Sequence, residues 1–174
     1  HVGKSKGLDF GLLEEVIGIN NRRPLRIVQK LKEHLGGLNA KHIAVLGLSF
    51  KSNTDDVRES PAAKLIKLLV QEGAAVKATD PLGIENFKRM YPDLVEHVLF
   101  TEQPEAAIMG SHAAIVVTDW KEYKSLDWKL IKDSMARPVI YDTRNMLNAR
   151  EMLSIEFEYL AIGKEMMQLT ETLA

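Results

Sequence analysis

The stretch GLSFKSNTDDVRESP, residues 47–61, holds the densest collection of side chains in this chain able to bind a charged ligand. Lys51 and Arg58 supply positive charge suited to phosphate, Phe50 supplies an apolar or stacking surface, and Ser60-Pro61 reads as the opening of a helix with proline at its first position. Gly47 is not followed by further glycines at G-x-G-x-x-G spacing, so no pyrophosphate is expected to lie close against a helix backbone here. A plainer reading makes Asp55, Asp56, Arg58 and Glu59 only a structural ion-pair knot. A second stretch, YDTRN at 141–145, places Arg144 just past an apolar run. Its planar guanidinium suits bidentate contact with phosphate, or hydrogen bonds to a ribose or base, although a lone arginine in such a place often serves as a salt-bridge partner. Asp80 ends another apolar run, where an acid can hold a ribose hydroxyl; the Pro81 that follows favours a turn role.

Other chemistries are poorly served. Cysteine is absent, which removes disulfides, thiolate metal sites and a cysteine nucleophile from these residues. His1, His34, His42, His97 and His112 show no ligand spacing, so no metal is expected. Trp120, Tyr123, Leu126 and Trp128 read as packing residues rather than a base-stacking platform. The net charge of −1 hides an asymmetry, with nine Lys or Arg against four Asp or Glu in residues 1–51. Arg22, Arg23, Arg26, Lys30 and Lys32 fit the wet face of an amphipathic helix better than a nucleic-acid stripe. Apolar runs of four or five residues fall far short of the ~20 that span a bilayer. Residues 1–10 carry no apolar core of a secretion signal. These features lead to the expectation of a soluble, cytoplasmic protein with no membrane or nucleic-acid partner.

Two kinds of element must position the candidate groups. From Asp9, a plausible N-cap, to about Leu35, apolar residues recur at spacings of three and four, the helical period, and Gly36-Gly37 closes the segment. Pro24 interrupts the pattern and predicts a kink or two abutting helices. Phe10, Leu12, Ile19, Leu25 and Val28 widen the apolar stripe beyond what one neighbour needs, which leaves room for a partner helix from a second subunit. After Lys41 the pattern changes to short apolar runs at 42–47, 75–80, 97–100, 113–119, 139–142 and 157–163, separated by helix candidates at 61–72, 84–90, 104–109, 126–134 and 146–152. Continuous apolar runs imply strands covered on both faces, and their alternation with helices predicts an α/β fold: a doubly wound, Rossmann-like, mostly parallel six-stranded sheet in three layers, preceded by a long N-terminal helix. Ligands bind such sheets at the carboxyl ends of the strands, where residues 47–61 and 141–145 fall. The division expected is a long helix at 1–38, with room for a partner helix, and an α/β domain at 39–174.

The motifs GLSFKSNTDDVRESPA at 47–62, ATDP at 79–82, VVTDW at 116–120, YDTRN at 141–145 and LAIG at 160–163 resemble, in order and spacing, the carboxyl-terminal domain of UDP-glucose 6-dehydrogenases and their nucleotide-sugar dehydrogenase relatives. EEVIGINNRRPLRIVQKL at 14–31 is similar to the central dimerising helix of that family. The resemblance implies an NAD-dependent oxidation of UDP-glucose to UDP-glucuronate in the full protein, with a second, NAD-binding domain and a cysteine nucleophile outside these residues. It implies that Phe50, Lys51 and Arg144 face the UDP part of the substrate, that Arg58 reaches toward NAD, and that a homodimer forms through the N-terminal helix. With no cysteine and no NAD domain, the resemblance marks these residues as a fragment inactive by itself. Pro24 and Asp119 depart from the family pattern, which usually has a non-proline residue and glutamate there. Asn53-Thr54 and Thr118-Asp119-Trp120 look more like the UDP-glucose branch than the UDP-N-acetylmannosamine branch. A non-catalytic α/β assembly module, using the sheet only as scaffold, is the rival reading.

Overall fold

The computed structural model describes residues 11–163, without the side chains of residues 12–14. The N-cap assigned to Asp9 and the apolar positions Phe10, Leu12 and Leu13 lie outside what is described. Six strands, β1 (His42–Leu46), β2 (Ala75–Thr79), β3 (Val98–Phe100), β4 (Ala113–Val116), β5 (Val139–Asp142) and β6 (Glu158–Ala161), form one sheet in the order β3-β2-β1-β4-β5-β6. Every pairing is parallel. The order reverses between β1 and β4, so the loops leaving those two strands diverge and open a crevice at their carboxyl ends.

Alternate residues of each strand feed two separate cores, because successive side chains of a strand point to opposite faces. Ile43, Val45, Ile115, Val139 and Tyr141 enter one core with α2 (Pro61–Gln71) and Phe87 of α3 (Ile84–Met90). Ala44, Leu46, Val116, Ile140 and Tyr159 enter the other with α5 (Pro104–Ile108), α7 (Trp128–Ser134) and α8 (Ala149–Ser154). The three-layer arrangement expected from sequence is therefore present. Trp120, Tyr123 and Trp128 are buried in the second core, in keeping with a packing role.

The long helix α1 (Gly11–Leu35) runs through Pro24 as one element. The missing proline N–H disturbs the carbonyls one turn earlier, and there the Lys64 ammonium donates to the Asn21 carbonyl at 2.7 Å. The crossovers α5, α7 and α8 lie on the second face, so β4–β6 need another cover on the first. The C-terminal half of α1 supplies it: Ile27, Val28, Leu31 and Leu35 are buried in the first core, Lys30 sits 6.0 Å from the Tyr141 ring centroid, and His34 Nε2 lies 2.7 Å from Glu158 of β6. Arg137 binds the same carboxylate through two 2.7 Å bonds and holds Glu158 below the usual carboxyl range. Val16, Ile17 and Ile19 of the N-terminal half are exposed; Arg22, Arg23, Arg26 and Lys32 lie on the wet face as anticipated, while Lys30 is half-buried beside Tyr141.

Sequence reading placed the later helices with shifts that local capping explains. The 126–134 helix begins at Trp128 because the Asp127 carboxylate accepts from the Leu130 N–H, and the 146–152 helix moves to Ala149–Ser154 because the Asn148 side chain accepts from the N–H groups of Arg150 and Glu151. Two short helices, α4 (Pro92–Val95) and α6 (Lys121–Lys124), fall in stretches read as connections.

Candidate functional site

Phe50, Lys51 and Arg144 line one groove of about 770 Å³, together with Arg23 and Pro24 of α1, Lys64 and Lys67 of α2, and Tyr91. This is within the size range of small-molecule sites. Phe50 and Arg144 are each placed by a backbone bond. The Phe50 N–H donates to the Asp56 carbonyl at 2.8 Å, which closes the loop after β1 on itself and leaves Phe50 52% exposed toward the groove. Asn53 and Glu59 of this loop adopt left-handed backbone, at φ of 61° and 59°, a region that residues other than glycine visit rarely.

Arg144 enters from the loop after β5. Asp142, fully buried at the end of β5, accepts from the backbone N–H of Arg144 at 2.9 Å, from that of Leu147 at 2.8 Å and from the Tyr159 hydroxyl at 2.9 Å. Burial, with the Asp142 charge beside it, pushes the Tyr159 hydroxyl well above its ordinary value, so it stays a donor. The Arg144 guanidinium donates to Asp119 at 3.2 Å.

Arg58 lies in a different cleft, with Thr54, Asn86, Arg89 and Met90. It makes a two-pronged pair with Asp56, Nε to Oδ1 at 2.9 Å and Nη2 to Oδ2 at 2.8 Å, and this bonding lowers the Asp56 carboxyl to about 2. Part of the ion-pair knot thus exists. Asp55 is engaged with Asn86 instead, and Glu59 faces the groove.

Asp80 is the residue whose place sequence reading underestimated. Its turn role is real, with Oδ1 accepting from the N–H groups of Leu82 and Gly83 at 3.0 and 2.7 Å. The same buried carboxylate also accepts from Leu48 N–H, Ser49 N–H, the Ser49 hydroxyl and the Trp120 indole, all at 2.7–3.0 Å. It therefore ties together the loops after β1, β2 and β4. The available signal was an acid at the end of β2 facing two polar loops, though nothing local in the sequence names the partners. With every lone pair engaged, Asp80 has none left for a ribose. A Cβ on Gly47 would stand 2.4 Å from the Thr118 Cβ, so the β1 turn is closed against Thr118. These residues do not fit a dinucleotide laid across this sheet, and no step through NAD is assigned to them.

Among the described residues no group of three or more His, Asp or Glu could hold a metal ion, and no helix is long and apolar enough to cross a membrane.

Comparison with known proteins follows the same residues. Residues 44–149 match the UDP-binding domain of the UDP-glucose/GDP-mannose dehydrogenase family. A UDP-glucose 6-dehydrogenase of Rickettsia bellii is 40% identical over 163 residues, covering 93% of this chain and 37% of its own length. One from Bacillus subtilis is 38% identical over 157 residues, covering 90% of this chain and 35% of its own. Among solved structures, a UDP-glucose dehydrogenase from Pyrobaculum islandicum superposes with a TM-score of 0.74 at 37% identity, over 86% of this chain and 32% of that one. A UDP-D-ManNAc dehydrogenase from Pyrococcus horikoshii gives 0.73 at 30% identity, over 90% and 34%. The chain spans little more than a third of the curated relatives it matches.

Proposed function

Because this chain belongs to the UDP-glucose/GDP-mannose dehydrogenase family and carries its UDP-binding domain, we propose that it holds the UDP end of UDP-glucose for an NAD-dependent oxidation to UDP-glucuronate. The observation that carries this reading is the convergence of Lys51 and Arg144, from loops after two different strands, on one groove that also exposes Phe50. Two cations on one groove neutralise and orient a diphosphate, and the Phe50 ring offers an apolar face to the uracil or ribose. Binding energy collected at the nucleotide, remote from the reacting carbon, then positions the sugar C6 for chemistry.

These residues contain no cysteine, so a thiol nucleophile and the nicotinamide must come from elsewhere in the full protein, and the 174 residues alone are inactive in this proposal. Arg58, 74% exposed at its side chain in the neighbouring cleft, is assigned to NAD held by another domain. The exposed apolar half of α1 is assigned to a homodimer. A cytoplasmic location is part of the same proposal, supported by the absence of cysteine here and by the soluble nucleotide substrate.

Glucose rather than N-acetylmannosamine is favoured by the names of the curated relatives, UDP-glucose 6-dehydrogenases at 38–40% identity. Calorimetric titration with UDP, UDP-glucose and NAD in turn tests the proposal. Saturable UDP binding that weakens at least tenfold in Lys51→Ala and in Arg144→Ala, each charge-assisted contact being worth about 1.5–3 kcal/mol, is the expected result. Wild-type affinity in both variants would favour the assembly-module reading.

A further inference from the structure

Resting on the reading of this groove as a UDP site, we propose that Asp119 is a positioning residue that fixes the reach of Arg144 into the groove it shares with Lys51. The observations concern Thr118, Asp119 and Trp120, in the loop after β4. Thr118 and Trp120 are buried and each is bonded to the β1 side of the crevice: the Thr118 hydroxyl donates to the Ser49 carbonyl at 2.7 Å, and the Trp120 indole donates to Asp80, which itself holds Ser49. Asp119, between them, is carried on a backbone anchored at both sides to the loop that bears Phe50 and Lys51. Its carboxylate reaches the other way and accepts from Arg144 Nη2 at 3.2 Å.

Arg144 is therefore connected to the Lys51 loop through a short chain of defined contacts, Arg144 to Asp119 and Asp119 through its two neighbours to Ser49 and Asp80. Asp119 itself does not line the groove, whereas Arg144 does. It engages one terminal nitrogen of the guanidinium, and the remaining N–H groups stay available for a bidentate contact with a diphosphate. The backbone of Arg144 is set separately by Asp142, so Asp119 governs the side chain and not the loop. A long arginine side chain held in one rotamer before the ligand arrives loses less freedom on binding, which raises affinity without any contact between Asp119 and the ligand.

The pair is half exposed, at 34% for Arg144 and 44% for Asp119, so the fold does not rest on it and its variants remain folded. The test is titration of UDP into wild type, Asp119→Asn and Asp119→Glu, and into Arg144→Ala with and without Asp119→Asn. Support consists of affinity about three- to fivefold weaker in Asp119→Asn, the range of an exposed ion pair, recovery in Asp119→Glu, which keeps the carboxylate, and no further effect of Asp119→Asn once Arg144 is gone. Unchanged or tighter UDP binding in Asp119→Asn overturns the proposal and leaves the groove reading intact. A loss that persists in the Arg144→Ala background also overturns it, because Asp119 would then act by another route. Absence of UDP binding to wild type removes the groove reading itself.

Discussion

Trp120 and Asp80, forty residues apart in the chain, meet through a 3.0 Å bond from the indole Nε1 to the buried carboxylate Oδ2. Asp80 is 2% exposed and takes six donors on its two oxygens. A carboxylate this deep is tolerable only when such donors replace its lost hydration. Asp80→Asn keeps the shape but turns an NH2 group toward backbone N–H donors. The expected cost is about 3 kcal/mol of stability, read as a lower urea midpoint, and a loss under about 1 kcal/mol would show that the clamp is not holding the three loops.

Two glycines with positive φ separate local strain from steric closure. Gly47, at φ 104°, has no room for a Cβ, which would lie 2.4 Å from the Thr118 side chain and 2.6 Å from its backbone nitrogen. Gly36, which ends α1 at φ 69°, has nothing within 4 Å. Gly36→Ala should cost about 1–2 kcal/mol, the left-handed penalty alone. Gly47→Ala adds overpacking of roughly 1–3 kcal/mol and should displace Thr118, so its UDP affinity falls as well. Equal losses in denaturant midpoint for the two variants would contradict the closure of the β1 turn against Thr118.

The contrast with sequence reading turns on range. The strands were legible because parallel strands covered on both faces read as unbroken apolar runs, and the α1 stop was legible from Gly36-Gly37. That Phe50, Lys51 and Arg144 come to one groove was legible because they stand just beyond those runs. The six-way role of Asp80 was not, since its donors come from Leu48, Ser49, Leu82, Gly83 and Trp120 and only folding assembles them. The Arg144–Asp119 contact was hidden for the same reason. Of the two outcomes that Pro24 predicted, a kink or two abutting helices, the second does not form: tertiary packing of Ile27, Val28 and Leu31 keeps α1 one element through the proline.

Arg58 sets the protonation of its neighbour. Its two-pronged bond is the main reason that Asp56 sits at about 2 rather than in the ordinary aspartate range. A carboxyl whose pKa is lowered by folding contributes stability above its unfolded pKa, near 3.9, and loses it as pH falls through the folded value. The contribution of this pair is therefore complete at neutral pH and disappears between about pH 4 and pH 2. Carbon-13 NMR of the Asp56 carboxyl should show this low midpoint, and Arg58→Ala should return it toward the ordinary aspartate range. An unmoved midpoint in the variant would assign the shift to some other group.

The last prediction concerns α1. Its C-terminal half is fixed by Leu31, fully buried, and by the Ile27, Val28 and Leu35 contacts, whereas Val16, Ile17 and Ile19 are 45%, 52% and 45% exposed. An unsupported helical extension of about ten residues is marginal in water, because isolated helices below about 12–15 residues rarely hold. Its apolar side chains therefore call for a covering surface, and a second copy of the same helix offers a complementary one through two-fold symmetry. Light scattering at micromolar concentration should give a dimer, and Ile19→Asp, which leaves the groove untouched, should shift it toward monomer with faster amide exchange confined to the first half of α1. Leu31→Ala should behave differently, costing about 2–5 kcal/mol of domain stability while leaving the exposed stripe in place. A monomeric wild type whose α1 amides are protected along the whole described helix would show that the extension is stable without a partner, and the assignment of its apolar face to a dimer would fall.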